Sequence, residues 1–476
     1  MEAAQGDELS IPAGVSGSFL LSCVLCLLAV AASAQRARSD LERDLDGSIP
    51  KILRRIGTPS ASIAVVRAGR IELLKAFGKS SLSSARLASS NLRYPIGSIS
   101  KQITAVALLA MAEDGKVRLD DRVSKYLPQI PHSSEVTVGE LLSHTAGYRD
   151  DLPDNFVPKW MTRDTTPQKV LDQWAYRALD FPPGTRFEYS NTDYIIAGLL
   201  IEKLSGESLA SFYADRVFRP LGMKSAAVIG ASLPSDVDVT GYFRYALGPS
   251  RPAPRQPPGW LFGGGEIVMN APDLARWDLS VLNESLLSHQ SYRRLETETL
   301  LQNGLATGYG LGLRLSSIRG HRKFEHAGEV SGFYSENIQL PDDKAAVVVL
   351  TNMEAPAAAT EIANAIVDWL LPTNQTVRPN AERIQKLFVD LQQGKIDRTQ
   401  FSVDANDYFG SQALHDYSES LAPLGHITGI TADMPTRRAG QWFINYLVRL
   451  QSSSVVVKTA QDASGKLTQF LVEPYR

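Results

Sequence analysis

The chain is nearly without cysteine: Cys23 and Cys26 are its two, and both lie in one N-terminal apolar run. Beyond that run there is no thiol nucleophile, disulfide or thiolate metal site to consider. An excess of one charge is missing too. With 49 Lys and Arg against 51 Asp and Glu, the formal net charge is −2, which gives no electrostatic case for nucleic acid or an anionic membrane surface as a partner. The seven His residues show no HExxH or other ligand spacing, so no metal is implied. No internal repeat is found. What is present is a chain of 476 residues, 43% apolar and 21% charged, with enough core for two or three globular units.

The N-terminus is a different material from the rest. Phe19 to Ala32 form an apolar run that ends in Ala32-Ser33-Ala34, a small-residue cleavage pattern. Residues 1–34 therefore read as a signal peptide, and the protein as periplasmic or secreted. Residues 1–18 hold Glu2, Asp7 and Glu8 and no Lys or Arg; a positive flank is expected there, so a retained anchor or a misassigned start stands as the alternative.

Next comes a helical pattern from Leu41 to Ile56, interrupted by Pro50, then two strands flanking Ala68-Gly69 as a hairpin. Ser98 follows Tyr94-Pro-Ile-Gly97 and opens a helix with an apolar stretch from Ile103 to Met111. Gly139 to Arg219 is helical with loops, and residues 244–265, rich in Pro and Gly, form a long surface loop near a cleft. Strands return at Gly310–Leu315, Lys323–His326, Phe333–Leu340 and Ala345–Thr351, closed by a helix from Glu361 to Leu371. Strands at both ends of a helical middle give an antiparallel sheet flanked by helices, with a helical subdomain beside it, over residues 35–372. A Pro-bounded linker at 373–379 leads to a small α+β domain at 380–476, with a helical stripe of Ile384, Leu387, Phe388 and Leu391 and strands at Trp442–Leu450, Val455–Thr459 and Lys466–Val472. The fold class is thus α+β. Nothing in the composition of the last domain gives it a role or a partner.

The chemistry sits in three short motifs. A serine hydroxyl is a weak nucleophile and needs a base in contact with it. In Ser98-Ile-Ser-Lys101 the helical spacing sets the Lys101 amine beside the Ser98 hydroxyl, and burial or the dipole at the helix start lowers the ammonium pKa so that a neutral amine can take the proton. Ser98 also exposes its own backbone N–H to an oxyanion. The pattern alone is cheap: Ser48-Ile-Pro-Lys51 repeats it with a proline inside and no apolar helix after it. Tyr189-Ser-Asn191 is the chain's one Tyr-x-Asn. Its phenol can carry protons between serine and leaving group, and Asn191 can orient a substrate carbonyl or the Lys101 amine; a half-buried loop tyrosine with an Asn turn is the bland alternative. In His326-Ala-Gly328, on a strand, Gly328 lets a substrate backbone approach and the Glu329 N–H becomes the second oxyanion donor. A lone strand histidine is more often structural. His144, within Leu141-Leu-Ser-His-Thr-Ala-Gly147, reads as a buttress.

Taken together, Ile96-Gly-Ser-Ile-Ser-Lys101, Leu141 to Gly147, Pro183-Gly-Thr-Arg-Phe-Glu-Tyr-Ser-Asn191, Pro220-Leu-Gly-Met223, Gly263-Gly-Gly265 with Asp273-Leu-Ala-Arg-Trp277, and His326-Ala-Gly-Glu-Val-Ser-Gly-Phe333 resemble the serine β-lactamase and penicillin-binding superfamily. Within it the chain is similar to the branch of class C β-lactamases, serine esterases and D-stereospecific aminopeptidases, over roughly residues 40–372. The resemblance implies Ser98 as nucleophile, Lys101 and Tyr189 as the proton-handling pair, an acyl-enzyme intermediate and no cofactor.

The third motif departs from the β-lactamase pattern, in which a Lys opens it and a Ser or Thr follows. Here His326, mostly neutral near pH 7, opens it, and Glu329 places an anion where a substrate carboxylate would lie. Two like charges about 5 Å apart cost on the order of 1 kcal/mol or more at a partly buried site. An ester, an amide without a free carboxylate or an amine-bearing D-peptide therefore suits the site best. The small-molecule or peptide substrate of a serine hydrolase is the leading reading. A β-lactamase or DD-carboxypeptidase, with an Arg near the cleft standing in for the missing Lys, is the rival. A binding protein that kept the fold without chemistry is the third reading.

Overall fold

A computed structural model describes residues 39, 41–153, 157–230, 237–246, 248–371, 380–433, 435–438, 441–462 and 464–475. The proposed signal peptide and the 373–379 linker lie outside them. The chain divides into two compact units, Met1–Leu370 and Leu371–Arg476.

The first unit is built on a six-stranded antiparallel sheet. Its strands are β1 (Ser60–Arg67), β2 (Arg70–Gly78), β3 (Arg314–Ile318), β4 (His321–Val330), β5 (Phe333–Leu340) and β6 (Ala345–Thr351). They lie in the order β2-β1-β6-β5-β4-β3. The β1–β2 hairpin turns at Ala68 (φ 50°) and Gly69 (φ 72°), both left-handed as the tight hairpin turn requires. Every residue of β6 and nearly all of β1 is buried. A strand covered on both faces reads as a continuous apolar run, which Ala345-Ala-Val-Val-Val-Leu-Thr351 is.

Helices supply the cover: α1 (41–56), α2 (Ser100–Glu113), α3 (Val138–Leu142), α4 (Pro167–Trp174), α5 (Asn191–Ser205), α6 (Leu209–Tyr213), α7 (Ala271–Leu282), α8 (His289–Leu295) and α9 (Pro356–Leu370). The helix α2 is buried on all sides from Ser100 to Met111, the signature of a central core helix rather than a surface one. Two expectations need correction. Pro50 does not interrupt α1, which runs on from 41 to 56. Leu45, Ile49, Ile52, Leu53 and Ile56 are all buried on one stripe, and that packing outweighs the lost backbone hydrogen bond. The strand expected at Gly310–Leu315 begins only at Arg314. Gly312 has φ 76°, and a Cβ there would meet the Lys101 carbonyl oxygen at 2.7 Å; it bends the chain against α2 instead of extending it.

The second unit has its own core. Its helices are α10 (Ala381–Gln392), α11 (Val403–Tyr408) and α12 (Ser411–Leu421). Its strands are β7 (Ile427–Ala432), β8 (Thr436–Arg438), β9 (Gln441–Leu450), β10 (Ser454–Gln461) and β11 (Leu467–Pro474). The sheet order is β7-β9-β10-β11, with β8 also paired to β9. The predicted stripe Ile384, Leu387, Phe388 and Leu391 packs on Phe401, Phe409, Ile444, Tyr446 and Val448. Both units together make the α+β architecture expected from the sequence.

Candidate active site

Ser98 lies in a tight turn, Gly97–Ile99, that runs directly into α2. Gly97 has φ 53°, and a Cβ on it would come within 2.8 Å of the Glu329 backbone nitrogen. The contact is reciprocal: a Cβ on Gly328 would stand 1.9 Å from the Ile96 carbonyl oxygen. The turn carrying Ser98 and the strand β4 therefore meet backbone to backbone, and neither glycine can be replaced without separating them. Gly328 is small for the sake of the protein's own chain, a use beyond the substrate approach that the sequence suggests. The β3–β4 pairing ends at Arg314 and Glu325, so His326 to Val330 pair with β5 on one side and turn the other toward Ser98. Backbone donors of Ser98 and Glu329 on adjacent segments are the two an oxyanion would need.

Lys101 is fully buried. Its Nζ stands 3.1 Å from Ser98 Oγ, 2.7 Å from Asn191 Oδ1 and 2.8 Å from the Gly264 carbonyl oxygen. As an ammonium it donates to all three. As a neutral amine it keeps two N–H bonds to the fixed oxygens of Asn191 and Gly264, and its lone pair is left for the Ser98 hydroxyl. Burial pulls its pKa down to about 7, against the opposing pull of Asp150 and Asp193. Of the two roles open to Asn191, the structure shows the one on Lys101. The Asn191 orientation is itself fixed, because its Nδ2 and backbone N–H both donate to Asp150 Oδ2, at 2.8 and 2.6 Å. The second of those bonds also satisfies a free amide at the start of α5.

Tyr189 brings its ring to 4.8 Å from Lys101 Nζ, with the His144 ring 4.3 Å away on centroids. His144 is fully buried, holds φ 57° and accepts a hydrogen bond at Nδ1 from the Ser190 N–H at 3.2 Å. Asp193 Oδ2 is 3.3 Å from the same nitrogen. Burial drives the His144 pKa well down and the Asp193 pKa well up. This fits the buttress role expected of His144.

His326 was expected to bind substrate, and the geometry gives its nitrogens another use. Nδ1 donates to the Ala327 carbonyl at 2.7 Å, and Nε2 accepts from the Tyr309 hydroxyl at 3.0 Å. Desolvation and the nearby Lys101 lower its pKa to about 3. It is a neutral, doubly anchored ring that forms wall rather than a free donor. Glu329 does line the cleft, a space of about 360 Å³ also bounded by Ser98, Tyr189, Asn191, Arg314 and Glu354. Glu329 stands opposite Tyr334 in the β4–β5 register and so projects from the sheet face opposite to His326.

Four contributors went unforeseen. The Gly264 oxygen is a backbone atom, which no side-chain pattern announces, although it lies within the Gly263-Gly-Gly265 motif. Asp150 holds Asn191, and Tyr309 packs on His144 and holds His326; neither belongs to one of the three motifs. Arg314, exposed on β3, is the kind of cleft arginine that the β-lactamase alternative had called for. Among the described residues no cluster of His, Cys, Asp and Glu could hold a metal ion.

The family model described as Beta-lactamase matches residues 41–368, and the chain belongs to that family. It is 28% identical over 334 residues to the D-aminopeptidase of Brucella anthropi, and 29% over 329 residues to that of Brucella canis. These matches cover 68% of this chain and 62% of each relative, so the chain spans about three fifths of their length. Among solved structures, the D-stereospecific amidohydrolase from Streptomyces sp. aligns with a TM-score of 0.56 at 25% identity, over 64% of this chain and 94% of that one. The octameric penicillin-binding protein homologue from Pyrococcus abyssi aligns with a TM-score of 0.60 at 21% identity, over 91% and 96%.

Proposed function

We propose that the chain is a serine hydrolase that cleaves amide or ester bonds through an acyl-enzyme on Ser98, with D-configured amides lacking a free carboxylate as its first candidate substrates. The observation that carries this reading is the Lys101 amine: buried, 3.1 Å from Ser98 Oγ, lowered to about 7, and tethered by two carbonyl oxygens that leave its lone pair to the serine. Lys101 takes the proton as Ser98 Oγ bonds to the substrate carbonyl carbon. The Ser98 and Glu329 amides stabilise the oxyanion. Tyr189, against Lys101, passes a proton to the departing amine or alcohol, and water then releases the acyl group by the reverse path. Likeness to proteins described as D-aminopeptidases and to a D-stereospecific amidohydrolase supports the amide class.

The acid content of the cleft supports the exclusion of carboxylates, since Glu329 and Glu354 outnumber Arg314 there. Arg314 is also the observation that favours the second reading, a β-lactamase or DD-carboxypeptidase. Intact-mass labelling with a fluorophosphonate and with a penicillin, using Ser98→Ala as control, separates them. A fluorophosphonate adduct on Ser98 without penicillin acylation is the expected result. Penicillin acylation at Ser98 would transfer the assignment to the second reading, and no adduct with either would favour a binding protein without chemistry.

A further inference from the structure

Beside the Ser98 cleft lies a larger chamber of about 760 Å³. The two spaces share Gln256, Leu261, Val330 and Ser331 as lining residues, so they lie side by side. We propose that this chamber holds an extended apolar chain on the acyl half of the substrate; the proposal rests on the Ser98 hydrolase reading.

Most of its lining side chains are apolar, with Thr240, Gln256 and Ser331 polar among them. Four prolines, Pro95, Pro254, Pro257 and Pro258, line it together with Ile229 and Phe333. Proline has no N–H to leave unsatisfied against a hydrocarbon, and its ring fixes the wall in place. The buried carboxylate in the lining is already engaged: Glu266 Oε1 accepts from the Gly259 and Leu261 N–H groups at 2.6 and 3.0 Å. That bond braces the Pro-rich loop and removes the charge as a ligand for substrate. Arg255, the other charged lining residue, is exposed. Volume and lining match what a bound apolar ligand needs.

The order of residues along β4 says which half of the substrate enters. Tyr189, which serves the leaving group, packs beside His326, with ring centroids 6.0 Å apart. The Ser98 turn meets the strand further along, at Gly328 and Glu329. Val330 and Ser331, which open into the chamber, come last. A substrate aligned on this edge therefore has its leaving group at the His326 end and its acyl chain at the Ser331 end. When Ser98 Oγ bonds to the carbonyl carbon, the bond to the leaving oxygen or nitrogen breaks and that atom departs with its proton. The acyl chain stays in the chamber until water adds and frees it as the acid.

The test is a series of p-nitrophenyl esters from acetate to decanoate, paired with calorimetric binding of decanamide and acetamide to the Ser98→Ala variant. The expected result is a kcat/KM that climbs at least about tenfold along the series and detectable binding of decanamide but not acetamide. Ile229→Trp, which fills the chamber, should remove both effects while its thermal melt shows that the fold is kept. A flat profile in protein that turns over the acetate ester, or decanamide binding indifferent to Ile229→Trp, would overturn the chamber and leave the Ser98 reading intact. No ester turnover together with no fluorophosphonate adduct would overturn both.

Discussion

Ser48 and Lys51 stand three residues apart on a helix, as Ser98 and Lys101 do beside one, yet only the second pair has the means for chemistry. In α1 the Ser48 hydroxyl donates to the Asp44 carbonyl at 2.7 Å, and Lys51 is exposed to water. At the start of α2 the lysine has no exposure at all, and three oxygens converge on its amine. Spacing is common to both; desolvation and tethering belong to one. Burial disfavours the ammonium form, so the Lys101 amine gives up its proton within reach of neutral pH.

Substitutions around Ser98 and Lys101 test whether burial makes that difference. Lys101→Met should lower kcat/KM for an ester substrate by about 10³-fold or more, while Lys51→Met leaves it unchanged; steady-state kinetics on the two variants decide. Gly97→Ala should cost about 10²-fold in rate and lower the melting temperature, because the added methyl drives the Ser98 turn away from the Glu329 amide. Calorimetry with fluorophosphonate labelling would register both effects. The pH profile carries a signed expectation. Below about 7 Lys101 is protonated and cannot accept the serine proton, so kcat/KM should fall tenfold for each further unit of acid. Asp150 opposes the lowering of that pKa, so Asp150→Asn should move the acid limb to lower pH. The smallest effect belongs to Glu329→Gln, which should improve carboxylate-bearing substrates over their amides by about fivefold, the equivalent of 1 kcal/mol of charge repulsion.

The residues legible in the sequence are those whose side chains act within a short motif. Ser98, Lys101, Tyr189 and Asn191 come from two such motifs 90 positions apart at Lys101 and Asn191, and the fold brings them together. The Gly264 oxygen was not legible, since any residue carries a carbonyl and 163 positions separate it from Lys101. Nor was the engagement of His326, which depends on the Tyr309 hydroxyl from outside its strand. The same division holds for the fold. The buried runs of β1 and β6 and the stripe of α10 announced themselves by periodicity. The helices α11 and α12 and the strand β7 did not. α11 and α12 bury a single residue each, Ala405 and Leu421, and β7 is nowhere fully buried, so apolar patterning had little to record. Pro50 was overweighted because its local cost is visible in sequence and the packing that offsets it is not.

The most direct measurement is the rate of Ser98 modification by a neutral fluorophosphonate as a function of pH, followed by intact mass in the natural protein and in Lys101→Met. If the buried amine is the base, the rate rises through about pH 7, levels above it, and collapses in the variant. A rate that climbs only above pH 9, or one that survives the loss of Lys101, would contradict the central claim.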